Sequence, residues 1–136
     1  MSATFSKFSV LVQDLGRGYH NWSTDSLKVH LTNATPSPNN TAYGTPADLS
    51  TSGGYTAGGT AIINSWTREA SVATLSGSDV SWGATGVIGP FRYAVLYNSS
   101  TTTKSLIGYW DYGAALSLNT GETFTVDFGT SVLTLA

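Results

Sequence analysis

The first apolar pattern of the chain has the spacing of a helix. Four apolar residues recur at intervals of three, four and three, which is one face of a 3.6-residue period: Phe5, Phe8, Val12 and Leu15. We therefore predict one short amphipathic helix over residues 3–16, with Thr4 as its N-cap and Gly16 or Gly18 as its stop. The alternative for this segment is a strand over 8–12, where valines favour β structure.

After Asp25 the apolar residues change to a period of two. Leu27, Val29 and Leu31 alternate with more polar neighbours, which predicts a strand with one face toward the core and one toward water. A segment of about 27 residues rich in Pro, Asn and Gly follows at 33–59. A connection of this length is uncommon in a compact domain, so we expect it to have a role, as a loop or as an arm laid over a neighbouring subunit.

From Thr60 onward, short β-type segments follow one another with turn residues between them. We predict strands at 61–66, 71–75, 80–82, 91–97, 105–112, 115–118, 123–128 and 132–135. The run 91–97 is apolar on both faces apart from Arg92, which predicts a central strand, and Pro90 marks its start. We expect residues 1–136 to be a single, mainly β domain, an antiparallel β-sandwich or jelly-roll-like fold, with a barrel as the alternative.

Charge and composition exclude several classes of protein. Lys and Arg number 6 against 8 Asp and Glu, a net charge of -2, so no basic surface for nucleic acid is expected. Charged residues make up 10% of the chain, against roughly 25% in an ordinary soluble domain. The chain contains no cysteine (Cys 0), so neither disulfides nor thiolate-bound metals can stabilise its fold. No apolar run approaches the roughly 18 residues of a membrane-spanning helix, so no membrane partner is expected.

The residue types that catalyse reactions are scattered along the chain. His20 and His30 are surrounded by none of the spacings of a zinc site. The 8 carboxylates fall mostly at turns or on polar sides of strands, which argues against the paired carboxylates of a glycosidase. The glycines of 53–59 lack the spacing and the following helix of a phosphate-binding loop. We therefore expect no enzymatic activity, no catalytic residue, no cofactor and no metal.

Arg92 and a group of aromatic residues are the candidates for binding. Arg92 can grip a carboxylate ligand, contact another subunit or, in the interpretation we favour, form a structural ion pair with Asp111. Strand alternation places Trp110 and Tyr112 on one face and Tyr109 with Asp111 on the other. Such rings bind sugars, anchor protein interfaces or belong to the core. The candidate interface residues are Phe5, Phe8, Arg92, Tyr109, Trp110 and Tyr112.

Three stretches of the C-terminal half carry a distinctive signature: IGPFRYAVLYN at Ile88–Asn98, LIGYWDYG at Leu106–Gly113 and LNTGETFTVDF at Leu118–Phe128. The N-terminal half agrees with this signature in the stretches at 5–21, 26–41 and 53–59. In these motifs, which cover most of the chain in order, the sequence resembles a family of small proteins encoded by tailed bacteriophages and prophages. The resemblance implies a virion structural protein and brings no catalytic site with it.

Within a virion, we expect this protein on the capsid surface. A small β protein without Cys suits repeated use on a lattice, where many modest contacts act together. We expect a decoration or cement protein made in the cytoplasm of the bacterial host. Its expected partners are the major capsid protein and copies of itself, with a trimer matching the three-fold positions of an icosahedral shell. The alternatives are a structural protein of the tail or head–tail junction and a carbohydrate-binding module for host attachment.

Overall fold

The computed structural model describes residues 5–129 and 131–135, which form a mainly β structure. Its elements in chain order are β1 (Phe5–Lys7), α1 (Ser9–Arg17), β2 (Leu27–Thr32), β3 (Thr60–Ala61), β4 (Asn64–Glu69), β5 (Val72–Gly77), β6 (Val80–Gly83), β7 (Ile88–Asn98), β8 (Leu106–Leu118), β9 (Thr123–Val126) and β10 (Leu133–Leu135). The prediction of many short strands with one short helix is confirmed for these residues. Two predicted strands, 105–112 and 115–118, are a single strand, β8.

The described strands form three antiparallel sheets. The largest has five strands in the order β1-β8-β7-β2-β3. A second sheet has the order β10-β5-β4, and β6 pairs with β9 in the third. Buried side chains from all three sheets meet in one large core cluster, among them Val29 of β2, Leu75 of β5, Trp82 of β6 and Val126 of β9. This shared burial of apolar surface holds the sheets together.

The strand predicted to be central is central. β7 lies between β8 and β2, and its two faces pack into different clusters, with Leu96 in the large core and Val95 in a smaller cluster beside Phe8. The strand begins at Ile88, earlier than the start predicted from Pro90. Its pairing with β8 shifts at this end, and such an irregularity accommodates a proline, which has no N–H to donate.

The prediction that β2 has one face toward water is wrong. His30 and Thr32 are fully buried, as are the apolar residues of the opposite face. The ring of His30 lies with its centroid 5.2 Å from that of Tyr43 and 5.7 Å from that of Tyr97. Tyr43 belongs to the segment 33–59, which folds back against this side of β2. The alternation of polar and apolar residues is the same whether the polar face is covered by a loop or exposed to water, so the sequence pattern does not distinguish the two cases.

The helix predicted over 3–16 proves to be two elements. Residues 3 and 4, with the predicted cap Thr4, lie outside the described residues. Strand β1 comes first and pairs with β8. Helix α1 follows Phe8, whose backbone is extended and whose side chain makes no capping hydrogen bond. Gly18, one of the two predicted stops, ends the helix with a φ of 74°, a left-handed conformation that suits glycine.

The apolar stripe of the N-terminal segment is divided between these two elements. Phe5 and Phe8 precede the helix, so they do not determine which side of α1 faces the core. That side carries the buried Leu11 and Asp14, whereas Val12 is 60% exposed. Phe8 is fully buried against β7 and β8 residues in the smaller cluster, so this segment packs on the largest sheet.

Candidate functional site

The pairing of β7 with β8 is uneven along its length. Phe91 pairs with Leu116, whereas Tyr93, two positions later, pairs with Asp111. Four residues of β8, 112–115, therefore lie opposite the single residue Arg92, so three of them are additional to the ladder and form a β-bulge. A bulge of this kind bends its strand and re-aims the side chains that it carries.

Gly113 and Asp111 shape the bulge. Gly113 has a φ of 101°, which a residue with a Cβ rarely adopts. Its N–H donates to Oδ1 of Asp111 at 2.8 Å. The bulge brings the ring of Tyr112 against that of Phe124 in β9, with their centroids 5.7 Å apart. A side chain of the largest sheet thus meets the β6–β9 sheet at this point.

An open cleft of about 320 Å³ lies between this part of the largest sheet and the β9 region, and we term it the aromatic cleft. Its aromatic lining residues are Phe91, Tyr93, Trp110, Tyr112, Phe124 and Phe128. Its polar side chains are those of Arg92, Thr125 and Asp127. A concave and mostly apolar surface with a few polar groups is typical of small-molecule sites, whose volumes begin at roughly 300 Å³.

The rings of the aromatic cleft are held in place by neighbouring rings. Trp110 packs against Phe5 and Phe128, with centroid distances of 5.0 and 5.3 Å. Tyr112 packs edge-on against Phe124. Side chains fixed in this way lose little conformational freedom when a ligand binds, so the apolar surface is preorganised.

Arg92 forms a two-point salt bridge with Asp111. Its Nε donates to Oδ1 at 2.8 Å and its Nη2 donates to Oδ2 at 3.1 Å, and both side chains are about 40% exposed. The guanidinium also lies over the ring of Tyr93, 5.4 Å from its centroid. The hydrogen bond from Arg92, followed by that from the Gly113 N–H, lowers the pKa of Asp111, and the same salt bridge raises the pKa of Arg92. The predicted ion pair is confirmed.

The six predicted interface residues fall into two groups. Three of them line the aromatic cleft: Arg92, Trp110 and Tyr112. Phe5 supports this group by packing on Trp110. Phe8 and Tyr109 pack together in the smaller cluster, 5.2 Å between ring centroids, so the predicted alternation of faces along β8 is confirmed. Phe8 is fully buried within its own chain, so it presents no free side-chain surface.

Sequence reasoning missed the part of the aromatic cleft that follows β9. Phe124, Val126 and Phe128 alternate with polar residues and therefore share one side of the predicted strand 123–128. Val126 and Phe128 are buried in the large core, and all three residues also line the cleft. Alternation shows on which side of a strand a ring lies. It does not show whether other elements cover that side.

A second group of polar side chains surrounds Asp48 in the long segment, and we term it the Asp48 cluster. Oδ2 of Asp48 accepts hydrogen bonds from the Tyr43 hydroxyl and from the Gly58 N–H, both at 2.5 Å. Oδ1 accepts a hydrogen bond from the Tyr55 hydroxyl. Nδ1 of the buried His30 lies 3.5 Å from Oδ1, within ion-pair range, with no hydrogen-bond partner in the described part of the chain.

The charge of the Asp48 cluster is fixed by these contacts. Burial by itself would raise the pKa of Asp48, but the four surrounding contacts outweigh it and lower the pKa to about 2. Burial, together with the nearby carboxylate, raises the pKa of Tyr43 and Tyr55 far above its usual value and that of Tyr97 to about 12. At neutral pH the carboxylate is therefore charged and the tyrosines keep the protons that they donate.

The Asp48 cluster lies beside the part of β2 whose edge opposite β7 has no neighbouring strand. β3 pairs only with Lys28 and Val29. Further along β2, the Leu31 N–H donates to the Tyr55 hydroxyl at 3.0 Å, and the Leu31 carbonyl accepts from the Leu49 N–H at 3.2 Å. The segment 33–59 is thus a loop packed on its own chain, where it satisfies part of an open sheet edge.

The other histidine takes part in a separate network. Nδ1 of His20 lies 3.0 Å from the side-chain amide of Asn98, and burial lowers its pKa against the opposing charges of Asp14 and Asp25. Among residues 5–129 and 131–135, no three His, Asp or Glu side chains come together in a group that could hold a metal ion. The helix in these ranges is too short to cross a membrane.

No protein-family model, curated protein or solved structure matches this chain. The sequence motifs and the geometry of the molecule itself are therefore what bear on its function.

Proposed function

We propose that this protein is a structural component of a tailed-bacteriophage virion, a decoration or cement protein on the capsid surface, made in the cytoplasm of the bacterial host. The family resemblance suggests the virion, and one surface observation carries the role. Val12, Ile63 and Val87 are 60%, 82% and 59% exposed, on a chain with only 10% charged residues. Each of these apolar side chains would gain by leaving water in a contact with another protein.

For the fold, we propose a β-sandwich of the jelly-roll type. Its support is the large core cluster, which draws buried residues from the five-stranded sheet and from both smaller sheets. Face-to-face packing of sheets produces a core of this kind. Such a fold leaves strand edges and loops for contacts with the capsid.

We propose the major capsid protein and further copies of this chain as its partners, in a trimeric arrangement. β4 supports self-association because it is the outer strand of its sheet and pairs only with β5 in the described part of the chain. Every second residue of an antiparallel outer strand directs its N–H and C=O away from the partner strand, so β4 presents hydrogen-bonding groups that a neighbouring strand can use.

The proposal assigns no enzymatic activity, cofactor or nucleic-acid contact to the protein. The ionisable side chains in close contact support this, because they bond to one another: Asp48 is enclosed by its donors and Asp111 is paired with Arg92.

The number of copies per virion tests the proposed location. Phage heads and tails are separated, and the protein in each is quantified by mass spectrometry against an internal standard. A decoration protein is expected in the head fraction at on the order of hundreds of copies, because a lattice repeats every contact many times. A handful of copies, or recovery with the tails, would contradict the capsid role and support the tail or head–tail junction.

A matched pair of variants tests the apolar contact. Ile63→Lys places a charge where the wild type is most exposed and apolar, and Lys7→Ala removes a charge at another exposed position. Purified heads lacking the protein are mixed with each variant, and the bound fraction is measured after sedimentation. Ile63→Lys should bind less to the heads and should have a smaller mass in solution by light scattering. Lys7→Ala should match the wild type in both measurements. Equal binding by both variants would contradict a contact through Ile63.

A further inference from the structure

We propose that the aromatic cleft binds a neutral saccharide, with one sugar ring lying against Trp110 and Tyr112. This activity goes beyond the proposed capsid role, since the isolated protein would show it without any capsid. Three features of the cleft suit such a ligand: its rings, the polar groups at its rim and its charge.

The rings suit the apolar face of a sugar. A pyranose presents C–H groups on one face, and such a face packs against the π-face of an aromatic side chain. Trp110 and Tyr112 both line the cleft and are only partly buried, so each has surface left to offer. Phe128 packs against Trp110 and Phe124 against Tyr112, at centroid distances of 5.3 and 5.7 Å. The platform therefore exists before any ligand arrives.

The polar groups suit sugar hydroxyls. Arg92 uses Nε and Nη2 on Asp111, which orients its planar guanidinium and leaves further N–H donors. Asp127 accepts the Gly129 N–H with Oδ1 at 2.8 Å, which fixes the carboxylate and leaves Oδ2 as an acceptor. A fixed donor on one element and a fixed acceptor on another can each bond to a hydroxyl of a bound saccharide.

The charge of the rim favours a neutral ligand over an acidic one. The salt bridge neutralises Arg92 with Asp111, and Asp127 has no cationic partner within the described ranges. The rim thus carries one uncompensated negative charge, which repels the carboxylates and phosphates of acidic glycans. The volume of about 320 Å³ is near the lower limit of ligand sites, so the cleft takes one or two sugar units of a longer chain.

The test uses the full-length protein and two kinds of glycan probe. A printed array carries neutral hexose and N-acetylhexosamine oligosaccharides beside sialylated and uronic-acid glycans. The neutral oligosaccharide with the strongest signal is then titrated by calorimetry against wild type, Tyr112→Ala and Tyr19→Ala. Tyr19 is a matched control because it is 47% exposed and lies outside the aromatic cleft. We expect binding to neutral glycans only, an affinity about tenfold weaker for Tyr112→Ala and wild-type affinity for Tyr19→Ala.

A second measurement covers the case in which Tyr112→Ala fails to fold. The chain has 4 tryptophans, and two of them, Trp22 and Trp82, are buried. Iodide quenching therefore reports mainly on Trp110 and Trp66. Saturating neutral oligosaccharide should protect part of this fluorescence in the wild type, and Trp110→Phe should remove the protected part. No signal on the array, binding to acidic glycans alone, or protection that persists in Trp110→Phe would each overturn the proposal. Copy number in heads is measured separately, so the capsid role stands or falls on its own.

Discussion

The Asp48 cluster and the aromatic cleft are built from the same kinds of side chain and differ in whether they are closed. Each combines aspartate with aromatic rings at a place where regular strand pairing stops. In the cluster, two hydroxyls and an N–H saturate the carboxylate, and its side chain is 8% exposed. In the cleft, Arg92 and Asp111 stay about 40% exposed beside partly open rings. Polar groups satisfied from all sides stabilise a fold, whereas those left open are available to a ligand.

Removing the carboxylate of the Asp48 cluster should have the largest effect on stability. Asp48→Ala leaves two hydroxyls and one N–H without their acceptor in a buried place, and each such loss costs about 1–3 kcal/mol. We expect the free energy of unfolding to fall by about 4 kcal/mol in urea titrations at neutral pH.

Asp127→Ala is the matched control for the Asp48 prediction. Its carboxylate accepts an N–H from Gly129 on an exposed turn, where water can replace it. The loss of stability should therefore stay below about 1 kcal/mol. Equal losses in the two variants would remove the contrast between a closed and an open site.

A pair of glycines tests how tightly the loop is held against β2. Gly59 has a φ of 80°, and a Cβ there would lie 1.9 Å from the carbonyl oxygen of Val29. Gly44, in the same loop, has a φ of 114° with nothing within 4 Å of its Cβ position. Gly44→Ala therefore measures backbone strain alone, about 1–2 kcal/mol, and Gly59→Ala should cost about 3 kcal/mol or more. Equal melting temperatures for the two variants would show that the loop yields easily at Val29.

Acid should weaken the Asp48 cluster over a defined pH range. The pKa of Asp48 is about 2 in the folded protein, below its value of about 3.9 in an unfolded chain. Its stabilisation is therefore complete above the unfolded pKa and is lost as the pH falls through the folded pKa. Between pH 5 and pH 2, wild type should lose about 2 kcal/mol more than Asp48→Asn does. Parallel curves for the two proteins, from urea titrations at each pH, would contradict this assignment of charge.

Periodicity in the sequence predicted the features that depend on neighbours along a strand. The burial of β7 and the separation of Trp110 from Tyr109 follow from alternation along the strands. The pairing of Arg92 with Asp111 is expected from their opposite charges, and it forms at the bulge, where Tyr93 is the ladder partner of Asp111.

The features that sequence reasoning missed depend on contacts between distant segments. His30 looks solvent-exposed in its pattern, and only the return of the loop, bringing Tyr43 and Asp48 to it, makes it buried. The helix begins later than predicted because β1 pairs with β8, a long-range contact that overrides the local 3.6-residue spacing. The aromatic cleft likewise needs Phe124 and Phe128 to approach a bulge in β8, which no local pattern reports.

The smallest effect is expected from breaking the salt bridge at the cleft. Arg92 and Asp111 are both well exposed, so water and salt screen their attraction, and holding two long side chains together costs conformational entropy. Asp111 also keeps its hydrogen bond from the Gly113 N–H when Arg92 is removed, so the bulge retains its own support. Arg92→Ala should therefore melt at the same temperature as the surface control Lys7→Ala, in low salt and in high salt. A marked fall in melting temperature that high salt reduces would mean that the ion pair holds β7 against β8. In that case the aromatic cleft would resemble the Asp48 cluster, with its polar groups committed to the fold and no longer free for a ligand.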